Sequence, residues 1–362
     1  MTALIIYTDA DGTERRLDVA TARLEYYRYP AALPTVELSS IKMDLFRRDF
    51  TINAMALRLN TGQFGNVVDF FGGQNDIQRK TIRVIHALSF VEDPTRIIRA
   101  VRFEQRYGFH ISLQGEKLIR NALALHLVEK LSGARILHEL KLIFREDDPL
   151  SCLKRLDGLG VLKAIHPALS LNAEKTELLE ALAGVIDWYS LLYFRETPDL
   201  STLYLLALCS AVPQHETEDS FQRLGLNMSL RGDLLKLRET VRTTIQSLVD
   251  WHRDGKGRIS RLHALLSPLP LEGLLYLMAR VPEKSLSRFV SQYIYKWRQV
   301  KADVTGEDLM QLGLAPGPSF GSIMRKVLAA KLDEEAVTRD EQLELARRLV
   351  RRVNRSAEPS QI

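Results

Sequence analysis

The stretch Phe90 to Phe109, FVEDPTRIIRAVRFEQRYGF, decides how the chain is read. Asp93 and Pro94 predict a helix start. Aspartate at an N-cap accepts free N–H groups of the first turn, and proline lacks the N–H that would be orphaned there. From Thr95 on, Ile97, Ile98, Val101 and Phe103 give an apolar side. Arg96, Arg99, Arg102 and Arg106 fall within an arc of about 120° at helical pitch. A solvated face normally mixes its signs, whereas this stripe has one carboxylate at its mouth. A nucleotide site would use it. A carboxylate accepts from an exocyclic amine and an arginine donates to a ring nitrogen or carbonyl, so Asp93 and Arg96 would read the Watson–Crick edge of adenine or cytosine. Arg99 and Arg102 would then face phosphates. On this pattern alone, a capped helix with surface arginines fits equally well.

The 362 residues exceed one small core, and two to four packed units are expected. Hydrophobic residues at 46% and charged residues at 26% are ordinary for a folded globular protein. No run of about 18 apolar residues occurs and the N-terminus lacks a secretory pattern, so no membrane partner and a cytoplasmic location are expected. Cys152 and Cys209 sit in apolar helical contexts without metal spacing and read as reduced core thiols. The formal charge of +5 suits a polyanionic partner. The eight histidines form no His-Asp pair and no His-x-x-x-His word, which argues against a metal phosphohydrolase domain.

Other words flank the central helix. RRDFTINAMA (Arg47 to Ala56), VVDFFGGQNDI (Val67 to Ile77) and IRVIH (Ile82 to His86) precede it, and SGARILHELKLIF (Ser132 to Phe144) follows. In this order they resemble the class II tRNA nucleotidyltransferase and bacterial poly(A) polymerase family, from about Thr2 to Leu169 and again near the C-terminus. LDVATARLEYYRYPAALPTVELSSIKMDLFRRDF (Leu17 to Phe50) looks most like its A-adding branch.

The resemblance implies a mainly helical α+β chain. A partial polymerase-β-like head at 1–58 would precede a nucleotide- and RNA-binding neck at 59–148, a helical body at 149–250, a tRNA-binding tail at 251–355 and a disordered end at 356–362. It implies attack by the tRNA 3′-hydroxyl on the α-phosphate of ATP, release of pyrophosphate, and two Mg²⁺ ions. Protein side chains would choose the nucleotide. Asp93 and Arg96 would template the base, and Arg48, Asp49 and Asn53, on adjacent turns of a short helix, would hold ribose and phosphates. Arginine suits phosphate by its fork, and asparagine suits ribose hydroxyls as donor and acceptor. An internal Arg48–Asp49 ion pair is the open alternative. Arg99 and Arg102 would neutralise phosphate charge, Glu139 would brace the stripe, and Arg106 and Arg135 join the RNA-binding candidates.

One family motif is absent. The runs 3–8 and 15–21 around Asp9-Ala10-Asp11-Gly12 predict a hairpin. In the family, a glycine loop and paired metal-binding aspartates precede that hairpin, and Asp9 and Asp11 at a turn tip are not that pair. Asp18 is the candidate for metal proximity, with a strand-end surface aspartate as its alternative. One carboxylate does not assemble a two-ion site. The expectation is a chain inactive or nearly so alone, its head supplied by a longer parent or a separate chain. Two other readings stay open: a poly(A) polymerase with the same pocket, and a non-catalytic RNA-binding fragment of a split or decayed enzyme.

Elsewhere, Pro30 to Pro34 predicts a breaker-rich loop. Asp69 to Gly73 reads as a strand end turning on glycines with aromatics in the core, and Asp76 as a cap or turn residue. Helices are expected at 119–131, 135–144, 149–165, 173–194, 200–211, 217–225 and 230–249, with Trp188, Tyr189, Tyr193 and Phe194 in the core. Trp251 to His263 reads as a basic link. In TGEDLMQLGLAPGPSFGSIMRKVL (Thr305 to Leu328), Gly313 and Gly317 precede a helix expected near Phe320, either a phosphate seat or a tight turn. Arg347, Arg348, Arg351, Arg352 and Arg355 fall largely on one side of the last helix, either to follow RNA phosphate or as a solvated terminus.

Overall fold

The computed structural model describes residues 2–26, 29–32, 34–254, 257–281 and 283–357. They form two compact units, residues 1–172 with 211–231 and residues 173–210 with 232–362. The fold is mainly helical α+β, and among the described residues strands occur only in two-stranded sheets.

In the first unit, β1 (Thr2–Thr8) and β2 (Glu14–Ala20) form the expected hairpin, turning at Gly12 with φ 83°. Next come β3 (Arg23–Tyr26) with β4 (Thr35–Leu38), α1 (Ile41–Phe46), a 3-10 turn (Thr51–Asn53), and β5 (Met55–Leu57) with β6 (Val67–Asp69). After α2 (Gly73–Gln78), β7 (Thr81–Ile82) pairs in parallel with β8 (His110–Ile111) across α3 (Ser89–Glu92) and α4 (Thr95–Tyr107). α5 (Leu113–Ala124), α6 (Gly133–Ile143), α7 (Pro149–Gly158) and α8 (Val161–Ile165) follow.

α4 is the centre. Its Ile97, Ile98, Ala100 and Val101 have no exposed surface, each larger side chain contributing about 2 kcal/mol, and the helix packs on α6 and α7. It ends at Gly108, whose φ of 61° lets the Phe109 N–H reach the Glu104 carbonyl at 2.9 Å. Asp93 caps from one residue further out than expected. Its Oδ1 accepts from the Thr95 N–H at 2.9 Å and the Thr95 hydroxyl at 2.5 Å, and Pro94 rather than Asp93 adjoins the first helical residue.

Arg48, Asp49 and Asn53 do not share a short helix. α1 stops at Phe46, because the Asp49 carboxylate accepts its neighbour's Phe50 N–H at 2.9 Å and bends the chain. Asp76 is not a cap. It is buried in α2, where it accepts from the Thr51 hydroxyl at 2.6 Å and pairs with Arg83 at 2.7 Å. Asp69 does organise the glycine turn, taking N–H groups from Phe71, Gly72, Gly73 and Gln74, but Phe70 is exposed rather than core.

The second unit begins with α9 (Ala173–Ser190) and α10 (Leu200–Leu208); α11 (Gln214–Arg223) belongs to the first, and α12 (Met228–Arg253) runs from one to the other. α13 (Ile259–Leu266), α14 (Leu271–Arg280), α15 (Lys284–Gln292), a π turn (Tyr293–Trp297), α16 (Gly306–Gln311), α17 (Pro318–Leu332) and α18 (Arg339–Ala357) complete it. Of the four aromatics expected in a core, Tyr189 is buried, Trp188 and Phe194 are half-buried, and Tyr193 is exposed. Tyr193 has a φ of 52° just past the end of α9. Helix structure persists to Ala357; the rest of the end expected to be disordered lies outside the described residues. Among the described residues no single helix is long and apolar enough to cross a membrane. Cys152 and Cys209 are buried, and burial pushes the Cys152 thiol up to about 12.

Two glycines hold α6 against α11. A Cβ on Gly133 would lie 2.3 Å from the Arg223 carbonyl oxygen and 2.5 Å from the Gly225 nitrogen, both rigid backbone. Arg223 seals the same corner by donating to the Leu131 carbonyl at 2.9 Å and the Val128 carbonyl at 3.1 Å. Gly133→Ala is therefore expected to cost about 3 kcal/mol, read as a lower urea midpoint at unchanged slope. An unchanged midpoint would refute the close approach.

Candidate nucleotide site

A cavity of about 670 Å³ opens beside α4 in the first unit. Asp93, Arg96, Arg99, Arg48, Asp49 and Asn53 all line it. Glu25, Arg47, Thr95, Phe103 and Glu139 complete the wall.

Arg96 is nearly buried, at 5% exposure. It donates to the Ser89 hydroxyl at 2.7 Å and to the Arg47 carbonyl at 2.8 Å. These bonds use two of the five N–H donors of a guanidinium that also lines the cavity. Asp93 is aimed by a residue expected to bind RNA. Arg135 donates to Asp93 Oδ1 at 2.7 Å and to the Ala31 carbonyl at 3.1 Å, so it is a positioning group for Asp93 and for the loop at 29–32. Behind Arg96, burial and then the Arg96 charge hold His86 below its ordinary range, while burial pushes its neighbour Glu92, at 3.4 Å, above the usual carboxylate range.

The arginine stripe is neutralised from other elements. Arg99 grips Asp49 through Nε at 2.8 Å and Nη2 at 2.5 Å, and Asp49 also accepts from the Asn53 amide at 3.1 Å. Asp49 thus pairs with Arg99 and not with Arg48. Arg48 instead donates to Asp44 at 3.3 Å and the Asn53 carbonyl at 3.2 Å. Glu139 sits 3.6 Å from Arg99 and 3.9 Å from Arg102, the bracing position expected of it. Burial pushes Glu139 above the usual carboxylate range, although both arginines pull it down. Arg102 does not line the cavity. It is buried against the Phe103 ring at 4.7 Å, with Glu146 at 3.3 Å. Arg106, expected to bind RNA, is held by the same Glu146 at 2.6 Å.

Burial would raise Glu146, but hydrogen bonds from Arg106 and Arg102 outweigh it and hold the carboxyl below its ordinary range. A carboxylate with a depressed folded value contributes stability above its unfolded value, near 4.5, and loses it as pH falls through the folded one. Glu146→Gln is expected to lose about 2 kcal/mol at pH 7, with the gap to wild type closing as pH falls from the unfolded value, near 4.5, through the folded one. A gap independent of pH would exclude this pairing.

Arg47 and Glu25 were not foreseen. Arg47 binds Asp44 at 2.9 Å and Glu25 at 2.8 Å, fixing the backbone carbonyl that receives Arg96. Burial acts to raise Asp44, yet bonds from Arg47, the Arg23 N–H and Arg48 hold it below the usual range. Arg47 stands inside a recognised word, but nothing local in β3 marks Glu25.

Hard divalent cations need converging oxygens. Asp18 stands in mid-strand on exposed β2 opposite Leu4, and among the described residues no three His, Cys, Asp or Glu side chains gather to hold a metal. These residues do not fit a two-ion site. In the second unit, Gly313 has a φ of 85°, and Gly317, with extended backbone, precedes α17 at Pro318, two residues before Phe320. Arg347 and Arg351 are exposed on α18, whose Ala346 and Val350 are buried; Arg347 pairs with Glu344 at 2.8 Å. The Arg355 side chain lies outside the described residues.

Residues 3–83 match the family model described as the poly A polymerase head domain, and residues 108–172 the probable RNA and SrmB-binding site of polymerase A. Over 96% of its length the chain is 43% identical to the A-adding tRNA nucleotidyltransferase of Geobacter sulfurreducens, covering 39% of that protein. It is 31% identical to that of Halalkalibacterium halodurans, over 84% of this chain and 67% of the relative. A solved CCA-adding enzyme in apo form II aligns at TM-score 0.79 and 32% identity, over 94% of this chain and 78% of that one. The chain belongs to the class II tRNA nucleotidyltransferase and poly(A) polymerase family. Two further structures of the family extend the match. A CCA-adding enzyme complex with ATP aligns at TM-score 0.77 and 32% identity, over 99% of this chain and 80% of that one. The Thermotoga maritima CCA-adding enzyme complexed with tRNA-CCA aligns at 0.74 and 30%, over 95% and 78%. The chain spans 39% of the Geobacter sulfurreducens relative and 34% of the Aquifex aeolicus one.

Proposed function

We propose that the cavity beside α4 binds ATP and that the protein acts in completing tRNA 3′ ends, adding AMP to an end finished in CC. The observation that carries this is one cavity lined by Asp93, Arg96 and Arg99 and by Arg48, Asp49 and Asn53. Thr95 and Arg135 occupy Asp93 Oδ1, which leaves Oδ2 to accept from the adenine amine. Arg96 donates to a ring nitrogen, with its plane fixed by Ser89 and Arg47. Asn53 suits the ribose hydroxyls, and Arg48 and Arg99 suit the phosphates as charge-assisted donors. The acceptor 3′-hydroxyl attacks the α-phosphate, and pyrophosphate leaves. Residues 1–58 would serve as head, 59–148 as neck, 149–250 as body and 251–355 as tail. Arg347 and Arg351, with the Gly313–Gly317 turn, would follow the RNA backbone. The A-adding names of the relatives and the ATP-bound neighbour support the reading.

Equilibrium binding tests it. ATP should bind at least about tenfold tighter than CTP, the worth of one good base-edge contact. Equal affinities, or no ATP binding by the folded chain, would sink it. AMP incorporation into tRNA ending in CC, by this chain alone and with a polypeptide carrying a glycine loop and paired aspartates, then locates the activity.

A further inference from the structure

A smaller cavity of about 260 Å³ lies in the same unit, lined by Ile52, Asn53, Ile77, Tyr107 and Phe109. Asn53 is a wall of both cavities. An aromatic track also joins them. Phe103 lines the larger cavity; its ring lies 5.9 Å from Tyr107 at an interplanar angle of 3°, and Tyr107 lies 5.6 Å from Phe109. The track follows from the sequence: Tyr107 falls one helical turn after Phe103, and the left-handed Gly108 folds Phe109 back toward α4. Tyr107 is 47% exposed and Ile77 43%, so the pocket opens to solvent and is not a closed core. Its surroundings are cationic. Exposed Arg79 and Lys80 follow Ile77 in the chain, and the Lys80 carbonyl accepts the N–H of His110, next to Phe109, at 2.9 Å. Neither cation is ion-paired among the described residues.

An apolar aromatic slot, bordered by unpaired cations and sharing a wall with a nucleotide cavity, suits one ligand chemistry. Unpaired bases at RNA ends stack on aromatic rings with little regard to sequence, while nearby cations hold their phosphates. We infer that this pocket takes the terminal unpaired base of the acceptor strand, stacked on Tyr107, with Asn53 between it and the incoming nucleotide. The inference rests on reading the larger cavity as an ATP site.

The test measures dissociation constants for three ligands: a minihelix RNA with a single-stranded CC end, the same minihelix blunt-ended, and ATP. Tyr107→Ala should weaken the CC-ended minihelix roughly tenfold, the blunt one and ATP less than about twofold. Ile77→Phe fills the slot from an open position and should act the same way, so the result does not depend on one variant folding. If either folded variant binds the CC-ended RNA like wild type, or loses both RNAs equally, the pocket is not a base site. If wild type fails to bind ATP while the CC-specific loss persists, the pocket stands and the ATP reading falls.

Discussion

Replacing Arg96 by alanine is expected to erase the preference for ATP over CTP while RNA affinity stays within a few-fold. A guanidinium donates and never accepts, so it selects by polarity of the base edge it meets. Its orientation is built in: Ser89 holds Nη1 and the Arg47 carbonyl holds Nη2, at 2.7 and 2.8 Å. Removing it takes away the selective donor and leaves the Ser89 hydroxyl and the Arg47 carbonyl facing an enlarged cavity. The discrimination lost should amount to about 1–3 kcal/mol, or roughly 5- to 150-fold. Arg96→Lys keeps the charge but not the planar fork, and should not recover the selectivity. Competition of ATP and CTP for the site, beside a separate RNA titration, reads both quantities. A large fall in RNA affinity with the nucleotide preference intact would assign Arg96 to RNA.

How much of this was legible in sequence depends on range. The core of α4 was legible because Ile97, Ile98 and Val101 repeat at helical spacing and nothing else competes for them. The cavity side chains were legible because Asp93 to Arg99 and Arg48 to Asn53 stand in recognisable words. What neutralises the stripe was not. Asp49 lies 50 residues from Arg99 and Glu146 lies 44 from Arg102, and no local pattern announces a counter-ion at that distance. For the same reason the tie of Arg135, an RNA-binding candidate, across 42 residues to Asp93 was not legible. Glu25 carried no signal at all, since one glutamate in a four-residue strand resembles any surface residue.

Local geometry failed in a different way. Arg48, Asp49 and Asn53 have helical spacing, but spacing is only a permission. The short Asp49 side chain binds its neighbour's N–H and breaks the turn, and that same bend directs its second oxygen to Arg99. The departure from regular helix is therefore what brings the two cavity walls together.

That juncture carries the second large expectation: Arg99→Ala should cost both stability and triphosphate affinity. Asp49 is only 7% exposed, and without Arg99 it keeps the Asn53 amide and the Phe50 N–H but no cation within a hydrogen bond. Breaking a buried pair in this way costs about 3 kcal/mol, because the partner stays charged and desolvated. Glu139 loses one of its two arginines at the same time and is left with Arg102 at 3.9 Å. Adding Asp49→Asn to Arg99→Ala removes the stranded charge and should return most of the stability without returning ATP affinity, since the phosphate donor is still missing. Loss of one charge-assisted donor should weaken ATP by about tenfold or more. Urea midpoints and ATP titrations of the two single variants and the double variant separate these terms. If the double variant is as unstable as Arg99→Ala alone, Asp49 is not the group that Arg99 neutralises, and the cavity wall is held by something else.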